Sequence, residues 1–161
     1  MDNSNSLTIR ICKLEDKKEW ISLNREFMLY EIKDTDFWNN TDSNSDERFA
    51  STFDEALQHP ELITLLLIEK DENVIGFANL MFIFSVWSHG KALILDDLYI
   101  KEAFRGNGIG RFVMEFIENY GREYGCKRLQ FQSEYTNPDA YKFYNQLGYV
   151  SESMYFYVKY I

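Results

Sequence analysis

Three glycines stand at alternate positions in the run Arg105-Gly106-Asn107-Gly108-Ile109-Gly110. The residues before this run have the composition of a β-strand, and those after it have the periodicity of a helix. A loop from a strand into a helix gathers backbone N–H groups without intrahelical partners at the positive end of the helix dipole. Glycine lets an anion approach the backbone closely, and Arg105 adds a charged donor. The run therefore predicts a phosphate-binding site.

Two common phosphate motifs do not fit this loop. A Walker loop has Lys and then Ser or Thr after its last glycine, whereas Arg111 and Phe112 follow Gly110. A dinucleotide fingerprint needs a glycine at position 111 and a parallel βαβ unit, whereas the preceding strands are typical of an antiparallel meander. The pattern that remains is Gln or Arg, two residues, Gly, one residue, and Gly or Ala. Arg105, Gly108 and Gly110 match it.

Two further stretches carry a resemblance to a known family. Leu95-Asp96-Asp97-Leu98-Tyr99-Ile100 precedes the loop, and the run 137–149 reads Asn-Pro-Asp-Ala-Tyr-Lys-Phe-Tyr-Asn-Gln-Leu-Gly-Tyr. Together with the loop they resemble the motifs of the GNAT acetyltransferases over roughly residues 92–150. The resemblance implies an α/β fold with a mainly antiparallel central sheet, helices on both faces and a splayed cofactor cleft. It also implies an enzyme that uses acetyl-coenzyme A.

The resemblance assigns the cofactor contacts to particular positions. The end of the strand before the loop pairs with the pantetheine arm, and the loop holds the pyrophosphate. Asn137 is explained equally well as the cap of the predicted helix 138–147 or as a cofactor contact. The expected contacts are Leu98, Tyr99, Ile100, Arg105, Gly106, Asn107, Gly108, Ile109, Gly110, Arg111, Asn137 and Tyr144.

Acetyl transfer to an amine needs a group that accepts a proton from the ammonium and a donor for the departing thiolate. Asp96 is the expected base by resemblance, and Asp97 is an expected substrate contact. Neighbouring residues of a strand face opposite sides, so one of the two carboxylates has a structural role, and a β-bulge would exchange them. The resemblance makes Tyr144 the proton donor, whereas an ordinary buried aromatic is the alternative. It also points to the backbone N–H of Leu98, or its neighbour, as the donor to the carbonyl oxygen.

The acceptor is expected to be a small cationic amine. Tyr30 and Glu31, at the end of the first predicted helix, resemble diamine and aminoglycoside acetyltransferases and are expected substrate contacts. Residues 31–61 carry nine acidic residues against two basic ones. This excess either attracts a cation or is a solvated surface. A peptide or protein amine, or a non-catalytic acyl-coenzyme A sensor, are the alternatives.

Composition excludes several other classes of protein. The net charge of −9 argues against nucleic acid as a partner. The apolar stretch 74–87 is shorter than the ~20 residues that a membrane-spanning helix needs, and no secretory signal is present, so we expect a cytoplasmic protein. Cys12 and Cys126 have no metal-binding spacing with a histidine, so we expect no metal site. By resemblance we expect a homodimer.

The periodicity of the chain predicts one domain over residues 1–161, a mixed α/β layer fold. Two helices follow the first strand, and three strands separated by turn residues then predict an antiparallel meander. A helix, a strand, a capped helix and a C-terminal strand or strand pair complete the order. The predicted strands are 7–12, 62–70, 74–87, 92–100, 127–132 and 149–161, and the predicted helices are 15–31, 46–58, 108–124 and 138–147.

Overall fold

The structure is a computed structural model that describes residues 6–31, 45–159 and 161, without the side chain of Glu31. The chain divides into two compact units, residues 1–131 and 132–161. The polar segment 32–44, which holds part of the acidic excess, lies outside the described residues. One domain over the whole chain stays a prediction.

The helices and strands of the first unit follow the predicted order. Short 3-10 turns, Leu14–Asp16 and Glu102–Phe104, precede the first and third helices. Helix α2 has the predicted bounds, because Ser45 caps its N-terminus by accepting the N–H of Arg48 at 3.2 Å and Pro60 follows its end. The elements are β1 (Leu7–Ile11), α1 (Lys17–Glu31), α2 (Asp46–Gln58), β2 (Ile63–Lys70), β3 (Asn73–Ser85), β4 (Gly90–Ile100), α3 (Ile109–Glu123) and β5 (Arg128–Gln130).

The strands form one sheet in the order β1-β2-β3-β4-β5. β1 to β4 are antiparallel neighbours, and the β2-β3-β4 part of this order confirms the predicted meander. β5 runs parallel to β4, because α3 carries the chain back across the sheet between them. β5 pairs with Ala92–Ile94 alone, so it is shorter than the predicted strand 127–132.

Helices cover both faces of this sheet, as predicted. On one face Trp20 and Leu23 of α1 and Phe53 of α2 share a buried cluster with Leu65 and Leu67 of β2. On the other face the Thr64 hydroxyl lies 2.9 Å from the hydroxyl of Tyr120 on α3. Residues of β2 are therefore buried on both sides, which explains why its apolar run does not alternate.

The second unit contains helix α4 (Pro138–Gln146). Asn137 caps it by accepting the N–H of Ala140 at 3.1 Å, and Gly148 follows its end with a left-handed φ of 91°. The predicted C-terminal strand is wrong for the described residues 149–159 and 161, none of which is in a strand. β-branched and aromatic residues favour extended backbone, but a strand also needs a partner strand to bond with, and this composition does not supply one.

Candidate functional site

The glycine loop presents backbone donors at the start of α3. The first hydrogen bond of the helix runs from the Phe112 N–H to the Gly108 oxygen, at 3.1 Å. The N–H groups of Ile109, Gly110 and Arg111 come before that bond and have no intrahelical acceptor. Gly108 has a left-handed φ of 77°, and a Cβ added there meets no described atom within 4 Å. The loop therefore offers donors and open space together, which fits a phosphate group.

The side chain of Arg105 lies on the α1 side of this loop. Its Nε donates to the Ile100 carbonyl at 2.7 Å. Its guanidinium carbon lies 4.2 Å from the ring centroid of Tyr30 and 5.5 Å from that of Tyr99. Arg105 thus ties the loop to α1 and to the end of β4 through cation–π contacts. Its predicted contact with pyrophosphate stays a prediction.

The structure brings two predicted residues, Tyr30 and Tyr99, together around this arginine. Their ring centroids are 6.4 Å apart. The Tyr99 hydroxyl also donates to Glu26 Oε2 at 3.4 Å, and burial is the main cause that raises the pKa of Tyr99. Glu26 is one helical turn before Tyr30 and adds an acidic group that sequence reasoning did not single out.

The far end of β4 has an open edge in the described part of the chain. β5 pairs with residues 92–94 of β4, so the segment 95–100 has β3 on one side and no described strand on the other. Leu98, Tyr99 and Ile100 lie in this segment. Its backbone can accept an extended ligand as an added strand, which fits the arm of a coenzyme.

A β-bulge lies at the start of the same segment. Asn79 of β3 pairs with Asp97, whereas the next residue, Leu80, pairs with Leu95. Asp96 is therefore the extra residue of β4. A bulge of this kind bends the strand and re-aims the side chains around it.

The bulge changes the face on which the following residues lie. Leu93 faces α3, because its Cδ2 lies 3.3 Å from the position of a Cβ added to Gly121. Tyr99 is an even number of residues further on and would share that face in a regular strand. Instead its ring packs against Phe27 of α1, with centroids 5.7 Å apart.

The two predicted carboxylates have different surroundings as a result. Asp97 is half-buried, and Asn79 Nδ2 donates to its Oδ2 at 2.8 Å. Burial raises the pKa of Asp97 to about 6, with a smaller contribution from the charge of Asp96, against the opposing effect of the Asn79 donor. Asp96 has an exposed side chain, and partial desolvation raises its pKa as well.

Asn79 is itself held by a buried tryptophan. Trp20 Nε1 donates to Asn79 Oδ1 at 3.1 Å, and the two residues are 3% and 6% exposed. Sequence reasoning did not assign either side chain to the site. The available signal was Asn79, an amide that interrupts the apolar run 74–87.

In the second unit, Tyr144 lies on α4 in a half-buried position. Its ring centroid is 6.2 Å from that of Tyr149 at 87°, and its carbonyl accepts the Tyr149 N–H at 3.1 Å. Tyr141, one turn earlier, is 59% exposed. The proton-donor role of Tyr144 stays a prediction, and so does a cofactor contact for Asn137, whose side chain is the helix cap.

The described residues contain no group of three or more His, Cys, Asp or Glu side chains that could hold a metal ion. No helix among residues 6–31 and 45–159 is long and apolar enough to cross a membrane.

The chain is similar to a family model and to known acetyltransferases. The chain matches the model of the Acetyltransferase (GNAT) family over residues 24–149. It is 30% identical over 109 residues to the uncharacterized N-acetyltransferase YhfO of Bacillus subtilis (strain 168), an alignment that covers 68% of this chain and 73% of YhfO. It is 29% identical over 75 residues to thialysine N-epsilon-acetyltransferase of Sus scrofa, covering 47% of this chain and 44% of that enzyme.

A solved structure has the same fold. Aminoglycoside N-acetyltransferase AAC(6')-Iy in complex with CoA is similar with a TM-score of 0.77, over 99% of this chain and 98% of that one. The sequence identity is 18%, so this likeness concerns the fold.

Proposed function

The chain belongs to the acetyltransferase (GNAT) family, and we propose that it transfers the acetyl group of acetyl-coenzyme A to a primary amine of a small cationic substrate. The observation that carries this proposal is the half-buried Asp97 carboxylate on the bulged strand that leads into the glycine loop. With a pKa of about 6, Asp97 is largely ionised at neutral pH and still able to accept a proton.

The residues of the loop and of β4 fit the coenzyme. The N–H groups of Ile109, Gly110 and Arg111 hold the pyrophosphate, and the open edge at residues 98–100 pairs with the pantetheine arm. The coenzyme supplies an acetyl group activated as a thioester. The chain at −9 repels a phosphorylated ligand at long range, so local donors must carry the binding.

The carboxylates of β4 act on the acceptor. An alkylamine is mostly protonated at neutral pH, so a nearby carboxylate attracts the ammonium and removes its proton directly or through water. The sequence predicts Asp96 as the base. We propose Asp97 for this role instead, because its side chain is less exposed to solvent than that of Asp96. Replacing each by Asn decides between them.

The side chains proposed to surround the acceptor amine are acidic and aromatic. Glu26 and Asp97 supply negative charge, and Tyr30 and Tyr99 already contact one cation, the Arg105 guanidinium. Two of the similar proteins are named for their substrates, thialysine and aminoglycosides. Both kinds of substrate contain amines. A cationic amine as acceptor is consistent with these features.

Tyr144 completes the proposal. Its hydroxyl donates a proton to the departing sulfur, while Asp97 takes the proton of the amine, so direct transfer needs no Ser or Cys nucleophile. A location in the cytoplasm and assembly as a homodimer are also proposed, and analytical ultracentrifugation tests the second.

A coenzyme A release assay over a panel of acceptors tests the function. The panel contains polyamines, aminoglycosides, thialysine and peptides with free N-termini. We expect turnover with the small polycations and apparent affinity that falls as salt rises, because exposed attractive charges are screened over about 8 Å at physiological ionic strength. Turnover of peptides alone favours the peptide acetyltransferase, and tight coenzyme binding without any turnover favours the sensor.

A further inference from the structure

Three side chains form a continuous hydrogen-bonded row from α1 through β3 to β4. Trp20 Nε1 donates to Asn79 Oδ1 at 3.1 Å, and Asn79 Nδ2 donates to Asp97 Oδ2 at 2.8 Å. Packing against Phe53 holds the Trp20 side chain in place. The two ring centroids are 5.4 Å apart, and Phe53 is fully buried. The row thus connects the buried core to the half-buried carboxylate.

The direction of the row follows from the chemistry of the three groups. An indole N–H only donates, and an ionised carboxylate only accepts. The amide of Asn79 has one acceptor and one donor group, so its oxygen must face Trp20 and its nitrogen must face Asp97. With Trp20 in place, the amide presents a donor to Asp97, and a donor favours the charged form of a carboxylate.

We propose that Trp20 and Asn79 are positioning residues that hold the Asp97 carboxylate in its ionised form and in one orientation for the acceptor amine. The inference rests on the proposed function, in which Asp97 removes the proton of that amine. Asn79 contacts the carboxylate, and Trp20 acts through Asn79 by preventing the amide from turning over.

Few charges compete with this row. β3 carries no charged residue between Val74 and Ser85. Among the described residues, the charged groups on the elements around Asp97 include Asp96 on β4, Glu19 and Glu26 on α1, the Lys17–Asp54 and Arg25–Asp46 ion pairs between α1 and α2, and Lys101 and Arg105 after β4. Of these, Asp96 acts on the charge of Asp97, and it opposes ionisation. The Asn79 donor is therefore the contact that keeps the carboxylate charged against both burial and its neighbour.

The test compares Asn79→Leu, Trp20→Phe and the double variant with the wild type. Titration of the Asp97 carboxyl carbon by NMR is read first, because it needs no substrate, and the acid limb of kcat/KM is read second. We expect Asn79→Leu to move both midpoints up by about one pH unit, since a hydrogen bond to a charged group is lost. Trp20→Phe should move them in the same direction by less.

The double variant separates positioning from packing. If Trp20 acts through Asn79, the double variant shifts the titration no further than Asn79→Leu alone. Shifts that add, or a titration that stays in place in folded variants, overturn the inference. Should Asn79→Leu fail to fold, Trp20→Phe keeps most of the ring packing and makes the comparison alone.

A control and a second readout distinguish this inference from the proposed function. Thr64→Val removes a buried hydroxyl from the opposite face of the sheet and should lower stability without moving the Asp97 titration. A titration that moves while the acid limb stays overturns the inference, because the row would then serve a carboxylate without a part in the rate. Absence of amine acetylation in the wild type is a failure of the proposed function, and the titration still decides whether the row fixes the charge.

Discussion

The segment 95–110 contains two parts of the proposed site, the bulge of β4 and the glycine loop, and they are built in different ways. The glycine loop uses backbone N–H groups and left-handed glycines that lie within a few residues of one another in the chain, so its composition alone indicates an anion site. The middle of β4 uses a bulge and side chains from α1, β3 and β4 to place one carboxylate. A site made of backbone is readable from sequence, whereas a site made of side chains from several elements depends on register and packing.

The sharpest test of this comparison is to replace the two carboxylates of β4 one at a time. Asp97→Asn should lower kcat/KM by about 10²- to 10⁴-fold near pH 7.5, because the amide cannot accept the proton of the ammonium. Asp96→Asn should lower it by less than about tenfold, since that side chain is exposed and lies at the bulge. Steady-state kinetics with the best acceptor measure both, and a larger loss from Asp96→Asn would return the base to the residue expected from sequence.

Tyr144 extends the comparison to a residue assigned by motif alone. Tyr144→Phe removes one hydroxyl and should lower kcat by about 10²-fold, the weak end of general acid catalysis, because a thiolate needs little help to leave. Coenzyme affinity should change less than kcat. Tyr141→Phe is the control, since that ring is 59% exposed one turn away. Equal small effects from both substitutions would leave water as the proton donor.

The readable parts of the molecule are those set by local chemistry. α2 has its predicted bounds because a cap, an apolar stripe and a proline all act within a few residues of each end. The bulge at Asp96 leaves no mark on the alternation of β4, and it becomes visible when Leu80 pairs with Leu95. The contact of Arg105 with the ring of Tyr30 also joins residues that are far apart in the sequence, so local patterns do not predict it. The C-terminal strand failed as a prediction because propensity does not name a partner.

The loop itself is tested by a side chain in the space meant for phosphate. Gly108→Val should weaken coenzyme A binding by about tenfold or more, because the branched side chain occupies the approach to the N–H groups of α3. Gly125→Val is a matched control at the other end of α3, with a φ of 74° against 77° and equally open surroundings. Both variants carry the same backbone strain. Calorimetry that shows equal affinity in the two folded variants would move the phosphate away from the loop.

A further expected effect concerns stability instead of catalysis or binding, and it follows from the burial of Asp97. Its pKa is about 6 in the folded protein, against the ordinary 3.8, so the folded state binds more protons between those values. The free energy of unfolding contributed by this group is therefore largest below about pH 4, falls as the pH rises through 6, and is lowest above about pH 7. The ionised carboxylate destabilises the fold at the pH where it acts as a base.

Asp97→Asn should remove this cost while keeping the size of the side chain. We expect the variant to gain about 1–3 kcal/mol over the wild type near pH 7.5, because a shift of two pKa units corresponds to about that free energy. Near pH 4.5 the two proteins should differ much less, since the wild-type carboxyl is then protonated when folded. Urea denaturation at the two pH values measures the difference. A gain in stability that is equal at the two pH values would reflect packing. A loss of stability at pH 7.5 would mean that the Asn79 hydrogen bond outweighs the cost of burying the charge. In that case the proposed base of β4 is not maintained at the expense of the fold.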